Sequence, residues 1–500
     1  MNREEINPNG SILLVKLGTH PELATIARQI RDLLKGVRVI GIGTDSTTTD
    51  DVGEAVVYEK DLMFGSYDEW WKQQMFVDPD LYRHLLAKEG QLLRMAERAA
   101  RSNIFEARQP SFPATRFAGD IEGGMQLLLR QFAFWDSVIQ HNQVKAAVFQ
   151  SIPHNFWDAT LFAVAESRLV PTLCFHEVWP FINSTYIYEN PMEMGDLTIG
   201  ENLLTIAHQR FGLIPDSGQR RERMLSQVTL ADAVRGRQIG AGSSLRIHSR
   251  VGALLRTPRF IPQKVIRSLL RRKKLRETIE DYESVANRKG FPQCFFFMEL
   301  QRSANMTSLV KGFMYGDARE MIAHVASSLP SNFELVVRES SRSGSSRGIR
   351  RKGFWHQVAA IPRVHIVSSD TQTEAILEKT LGMVELGYSS LALEALNRGI
   401  PVVVLGLTHL HGAPNTFVVT ESSKLRHALQ AAKDCSRSSS DRSMNVALGL
   451  QDWADKARLA TIEGRLSSDR NTAIQDPNYR ARLIGNTARV IAAWYEMKQT

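Results

Sequence analysis

From Pro292 to Leu405 the chain alternates short apolar runs with segments of helical periodicity, and no other pattern in it restricts the fold so strongly. The runs Cys294–Glu299, Phe333–Arg338, Val364–Ser368, Met383–Leu386 and Pro401–Leu405 are rich in Val, Leu and Phe, as strands buried on both faces are. Helical patterns separate them: Ala318–Leu329, one near Phe354–Ala360, Thr373–Lys379 and Ser389–Arg398. Because parallel strands need a crossover between them, this alternation predicts a doubly wound parallel sheet. Ligands of such sheets bind beyond the carboxyl ends of the strands, so a site is expected in the loops after Arg338, Leu386 and Leu405.

The N-terminal part repeats the unit. Ile12–Leu17, the helical Glu22–Leu34 and Val37–Ile42 read as strand, helix and strand; Ala146–Gln150, Trp157–Ser167 and Pro171–Phe175 do so again. Between them the stretch 70–141 reads as helical and is expected to flank the sheet. At 500 residues the chain exceeds one core, since single cores stop growing near about 250–300 residues. The organisation expected is an α/β protein of two Rossmann-like domains: an N-terminal one over 1–240 and a C-terminal one over 291–435. A linker over 241–290 joins them, and helices over 436–500 follow. A hydrophobic share of 43% suits a folded chain. No apolar run reaches about 18 residues, and no charged-then-apolar leader opens the chain, so a cytoplasmic protein is expected. Cys174, Cys294 and Cys435 are odd in number and far apart, which argues against a disulfide framework or a zinc cluster.

The net charge of +9 asks for an anionic partner. Much of it falls in 246–276, where Arg246, Arg250, Arg256, Lys264, Arg271, Arg272, Lys273 and Lys274 alternate with Val, Ile and Leu. Such a segment can lie on an anionic membrane surface, which would make the protein peripheral on the inner membrane, or serve as a solvated helical linker. It can also follow a nucleic-acid backbone, the partner least expected here.

Gly387-Tyr388-Ser389-Ser390 stands between a strand and a helix. Glycine permits the tight turn, and serine hydroxyls with the free amides of a helix start converge where an anion binds. Equally, Ser389 can simply cap the helix. Glu394, one turn further on, is placed to reach a sugar or ribose hydroxyl, or is an ordinary helix residue. Arg338-Glu339 follows the strand Phe333–Val337, and a guanidinium fork suits phosphate; a solvated loop would look the same. His411 follows the strand Pro401–Leu405 at another ligand-facing end. In the N-terminal half His154 and Glu177 end strands and are the candidates for a general base near an acceptor. Asp78-Pro79-Asp80 has DxD spacing, but a helix beginning with proline in its first turn explains it better. No HExxH, GxGxxG or GxxxxGK[ST] pattern occurs, so no protein-bound metal or cofactor is expected.

Tyr315-Gly316-Asp317, Leu329-Pro330, Ile361-Pro362-Arg363-Val364, Gly387 to Glu394-Ala395, Gly399-Ile400-Pro401-Val402 and Gly406 together resemble the capsule polysaccharide biosynthesis family, which includes retaining Kdo transferases. The resemblance spans Leu275–Val419, with a weaker echo at Ala146–Tyr188. It implies a GT-B-like glycosyltransferase, with two domains facing across a cleft. The C-terminal domain would take a nucleotide-sugar, in that family CMP-linked, at Arg338, Glu339, Gly387, Ser389, Ser390, Glu394 and His411. The N-terminal domain would present a bacterial surface glycan or glycolipid acceptor to Glu177 and His154. The family's Lys-x-His-Pro is replaced here by Arg338-Glu339-Ser340-Ser341, and its Pro-Glu by Ser303-Ala304. A catalytically degenerate relative, serving binding or assembly in polysaccharide synthesis, is the alternative.

Overall fold

A computed structural model describes residues 10–17, 20–43, 57–58, 79–86, 92, 121–153, 156–177, 184–190, 196–213, 273, 276–287, 290–300, 315, 317–339, 350, 352–387, 389–436, 449–450, 452–453, 461–463 and 477–499. The chain divides into two compact units, Met1–Arg221 with Asp455–Thr500, and Glu222–Ala454.

The first unit holds strands β1 (Ser11–Val15), β2 (Arg38–Gly43), β3 (Val57–Tyr58), β4 (Val144–Phe149), β5 (Thr172–Glu177) and β6 (Ser184–Tyr188). In space they run β3-β2-β1-β4-β5 in parallel, with β6 antiparallel on β5. This is the order of a mononucleotide-binding sheet, as the two repeated sequence units implied. Its core is made of Ile12, Leu14, Val39, Ala146, Val148, Leu173 and Phe175 on one face, with Ile26 and Ile30 of the helix His20–Leu33 against them.

Part of the C-terminal segment expected over 436–500 packs on the first unit. Strand β13 (Thr461–Glu463) pairs antiparallel with β6, and the helix Pro477–Gln499 packs on the helices His20–Leu33 and Thr198–Phe211. Leu483, Ile491, Ala492 and Trp494 belong to the first unit's core. Arg480 ion-pairs with Glu22, and Lys498 with Glu189 at 2.8 Å. Residues 477–499 are therefore a structural part of the N-terminal unit, because their apolar stripe has its complement there.

In the second unit β7 (Phe295–Leu300), β8 (Glu334–Glu339), β9 (Val364–Ile366), β10 (Gly382–Leu386), β11 (Val402–Leu405) and β12 (Thr416–Val419) form one sheet. Its order is β9-β8-β7-β10-β11-β12, parallel throughout. Five of these strands lie where the sequence placed them; β12 is an addition. On one face Phe296, Met298, Leu335, Val337, Val384 and Val403 pack under the helices Ala318–Ser328, Phe354–Ala359 and Leu425–Ser436. The other face is covered by Ile376, Leu377, Ala392, Leu393 and Leu396, all fully or nearly fully buried. Asp317 caps the helix Ala318–Ser328, its Oδ1 accepting from the amides of Arg319 at 2.7 Å and Glu320 at 3.3 Å. Among the described residues no helix is long and apolar enough to cross a membrane.

Candidate functional site

The strand order locates the site more sharply than the loops alone do. In the second unit the winding reverses between β7 and β10, so the crevice expected to take a ligand opens at the carboxyl ends of those two strands. Residues 301–314, which follow β7, lie outside the described residues. After β10 comes Gly387, buried and at φ 71, a left-handed conformation that glycine adopts without cost. Its amide donates to the Leu405 carbonyl at 2.9 Å, extending the pairing of β10 with β11 by one bond before the helix Ser390–Asn397.

Ser389 caps that helix. Its Oγ accepts from the amides of Leu391 at 3.2 Å and Ala392 at 3.3 Å. The capping reading of this serine is therefore realised, and it leaves the anion reading standing: a hydroxyl that accepts still has its own proton to donate. The Ser390 amide begins the helix, where amides lack an intrahelical acceptor. Glu394 lies one turn on and is half-buried, its Oε1 accepting from Arg398 Nη2 at 2.9 Å within the same helix. It is an i,i+4 ion pair first, which counts against its role as a hydroxyl ligand.

Arg338 is not disposed to clamp phosphate. It is 3% exposed, and its guanidinium is engaged by protein. Nε and Nη2 donate to Glu299 Oε1 at 3.2 and 2.5 Å, Nη1 donates to the Thr371 carbonyl at 2.7 Å, and Nη2 to Thr373 Oγ1 at 2.9 Å. It also lies 5.4 Å from the Phe297 ring centre. Glu339 is likewise buried, at 5% exposure, and takes Arg350 Nε at 2.8 Å and Nη2 at 3.2 Å. Its amide donates to the Tyr282 hydroxyl, which in turn donates to the Val367 carbonyl. Burial pushes the Tyr282 phenol well above the usual tyrosine range. Both residues thus brace the rim of β7, β8 and β9 through bonds within the protein. The physical reason is strand alternation: Arg338 points into the face carrying Glu299, where an unpaired charge would be costly.

His411 is exposed in the loop after β11, and its carbonyl accepts from the Trp453 indole at 3.3 Å. Glu394 thus shares the helix that starts at Gly387–Ser390, whereas Arg338 and Glu339 end β8 and His411 lies in the loop after β11. Glu299, which the sequence reading passed over, sits at the carboxyl end of β7 beside the winding reversal. The signal was available: a lone carboxylate in the otherwise apolar run Phe-Phe-Phe-Met-Glu-Leu.

In the first unit His154 lies outside the described residues, and Glu177 is the last residue of β5, one strand from that sheet's own reversal between β4 and β1. Cys174 on β5 is buried, and desolvation drives its thiol far above the usual range, so it is no nucleophile. Asp80 follows Pro79 at the start of the helix Pro79–Leu86 and pairs with Arg83 at 2.6 Å, as a helix start explains. Arg246–Lys264, Arg271, Arg272 and Lys274 lie outside the described residues. A cavity of about 600 Å³ lined by Asn332, Glu334, Arg363 and His365 opens at the amino ends of β8 and β9, away from the crevice.

Residues 263–434 match the family model described as capsule polysaccharide biosynthesis protein, a segment wholly inside the second unit. A comparison with curated protein sequences finds no match. Among solved structures the chain is similar to the calicheamicin glycosyltransferase CalG4 at 11% identity, with 90% of this chain and 96% of that one covered and a TM-score of 0.25. It is similar to the Methanocaldococcus jannaschii UDP-GlcNAc 2-epimerase in complex with UDP-GlcNAc and UDP at 9%, with 89% and 98% covered and a TM-score of 0.25. The spinosyn rhamnosyltransferase SpnG with spinosyn aglycone gives 11%, 90%, 97% and 0.24. Likeness at such scores decides neither fold nor chemistry.

Proposed function

We propose that this chain is a glycosyltransferase that moves a sugar from a nucleotide donor onto a bacterial surface polysaccharide or glycolipid. One observation carries the reading: the segment matching the capsule polysaccharide biosynthesis model contains a parallel sheet with nucleotide-binding order, and a serine-capped helix starts at its winding reversal. There the donor's phosphate would meet the Ser389 hydroxyl and the first helical amides, which are fixed in place before the reaction and oppose the charge growing on the departing nucleotide. The donor is taken to be a CMP-linked, Kdo-like acidic sugar, on the resemblance alone. Glu177 and His154 of the first unit would act at the acceptor, one of them taking its proton. The basic segment 246–276 would hold the enzyme near a lipid-linked acceptor.

The test is thermal stabilisation of the full chain by CMP-, UDP- and GDP-sugars, since a ligand that binds only the folded state raises its stability. One nucleotide class should stabilise and the others not; stabilisation by none removes the reading. The non-catalytic alternative gains support from one feature, the commitment of Arg338 and Glu339 to internal ion pairs. Under it, nucleotides stabilise the protein but no sugar is transferred.

A further inference from the structure

We propose that Glu299 accepts a hydrogen bond from a ribose hydroxyl of the nucleotide donor, and that Arg338 is a positioning residue acting through Glu299. The inference rests on the nucleotide-sugar reading above and names what recognises the nucleoside within that site.

Three observations converge on it. Glu299 occupies the penultimate position of β7, one of the two strands between which the winding reverses, so it stands on the floor of the crevice. Its side chain is 20% exposed, whereas that of Arg338, its partner, is 4% exposed. And the pairing is one-sided. Both guanidinium bonds fall on Oε1, so among the described residues Oε2 accepts none. A carboxylate is thus pinned by a buried, four-bonded arginine through one oxygen, and its side chain keeps partial exposure.

The chemistry of that oxygen selects the ligand group. An ionised carboxylate only accepts hydrogen bonds, so its partner is a donor. A phosphate is disfavoured there. The β7–β10 register, carried one residue past Val384 beside Met298, sets Glu385 next to Glu299 on the same face, and Glu385 is 1% exposed. The Glu299 carboxylate, with one oxygen outside its pairing to Arg338, itself repels an anion. The helix start at Ser389, just beyond the end of the neighbouring strand β10, favours one. A nucleotide laid across the reversal would therefore put its phosphate at Ser389 and its sugar hydroxyls over Glu299. A ribonucleotide donor carries a 2′,3′-diol on the same ribose that bears the 5′-phosphate, whatever sugar it transfers.

Arg338 enters as the group that fixes this oxygen. By bonding Glu299, the Thr371 carbonyl and Thr373 Oγ1 together, it holds the carboxylate in a single orientation and ties the loop after β9 to it. A lysine at 338 could neutralise Glu299 but could not supply the fork.

The experiment is calorimetric titration of the full chain with CMP, UDP and GDP, each beside its 2′-deoxy and 3′-deoxy form. Wild type should bind one ribonucleotide roughly tenfold or more tightly than at least one of its deoxy forms, which is what a hydrogen bond to a charged group contributes. Glu299→Gln, which keeps the shape and the bond from Arg338, should weaken the ribonucleotide and leave the deoxy form unchanged, so that the preference collapses. Arg338→Lys should reduce the same preference in a protein whose circular dichroism is native, an effect that a merely structural role would not produce. Equal binding of ribo and deoxy forms by wild type, or an unchanged preference in Glu299→Gln, overturns the inference while the nucleotide site stands. Failure of wild type to bind any nucleotide overturns the functional reading as well.

Discussion

Removing the cation beside Glu339 should cost more stability than any substitution at an exposed residue of this chain. The Arg350–Glu339 pair has side chains 5% and 7% exposed, held by two bonds of 2.8 and 3.2 Å. Around it lie the Phe354 ring, 5.2 Å from the guanidinium, and the Tyr282 hydroxyl. Arg350→Met takes both guanidinium bonds from a buried carboxylate, a change that costs about 3–5 kcal/mol, and Glu339→Leu takes both from the buried arginine at similar cost. The two single effects would sum to about 6–10 kcal/mol, yet the double variant removes both charges and fills the space with apolar atoms. It should lie within about 1 kcal/mol of wild type. The assay is urea unfolding of all four proteins followed by tryptophan fluorescence, with Trp355 next to Tyr282 and Phe354 as the local reporter. Nucleotide stabilisation of the double variant is measured alongside. A double variant as damaged as the sum, or one that folds but loses nucleotide stabilisation, refutes the assignment of Glu339 to the frame and returns it to the donor site.

Ser389→Ala removes an acceptor from two helical amides and should cost about 1 kcal/mol of stability together with most of the nucleotide stabilisation; a folded variant with wild-type nucleotide affinity would refute the phosphate role. Burial raises the Tyr315 phenol from 10.0 to about 12 and holds Tyr282 and Tyr188 above the usual range. The folded state therefore keeps these protons more tightly than the unfolded chain does, so their contribution is complete below pH 10 and is lost as pH rises from 10 toward 12. Melting temperature should fall across that window, and less so in Tyr315→Phe; tyrosinate absorbance developing fully near pH 10 in the folded protein would contradict this. Replacing Arg271, Arg272, Lys273 and Lys274 by glutamine should lower binding to vesicles containing anionic lipid, by about 1 kcal/mol per charge at low salt, and equal binding of wild type to neutral vesicles would refute membrane contact.

The fold was legible because its signals are local. Five strands of the second unit and four of the first coincide with apolar runs bounded by turn residues, and the helices Phe156–Ser167, Ala318–Ser328 and Ser390–Asn397 begin close to where the sequence marks them. The order of strands was not legible, since which strands neighbour one another depends on packing between distant segments, and with it went the position of the winding reversal. Loops after three strands could be nominated, but only the one after Leu386 borders the reversal. The partners of Arg338 and Glu339 were illegible for a related reason. A basic residue at a strand end looks like a phosphate ligand until its partner is known, and here the partners, Glu299 and Arg350, lie 39 and 11 residues away. The helix Pro477–Gln499 was foreseen as a helix but not as a part of the N-terminal unit, because its amphipathic stripe does not name the surface it covers. Gly387 and Ser389 were legible because a tight turn followed by a cap is chemistry written in adjacent residues.

The measurement that bears most directly on a nucleotide site at the winding reversal is hydrogen exchange of the full chain with and without the nucleotide-sugar that stabilises it best. Amides of 387–393 and of the carboxyl end of β7 should gain protection, while those lining the cavity at Asn332, Glu334 and Arg363 should not change. Protection confined to that cavity, or to the first unit, would contradict the account.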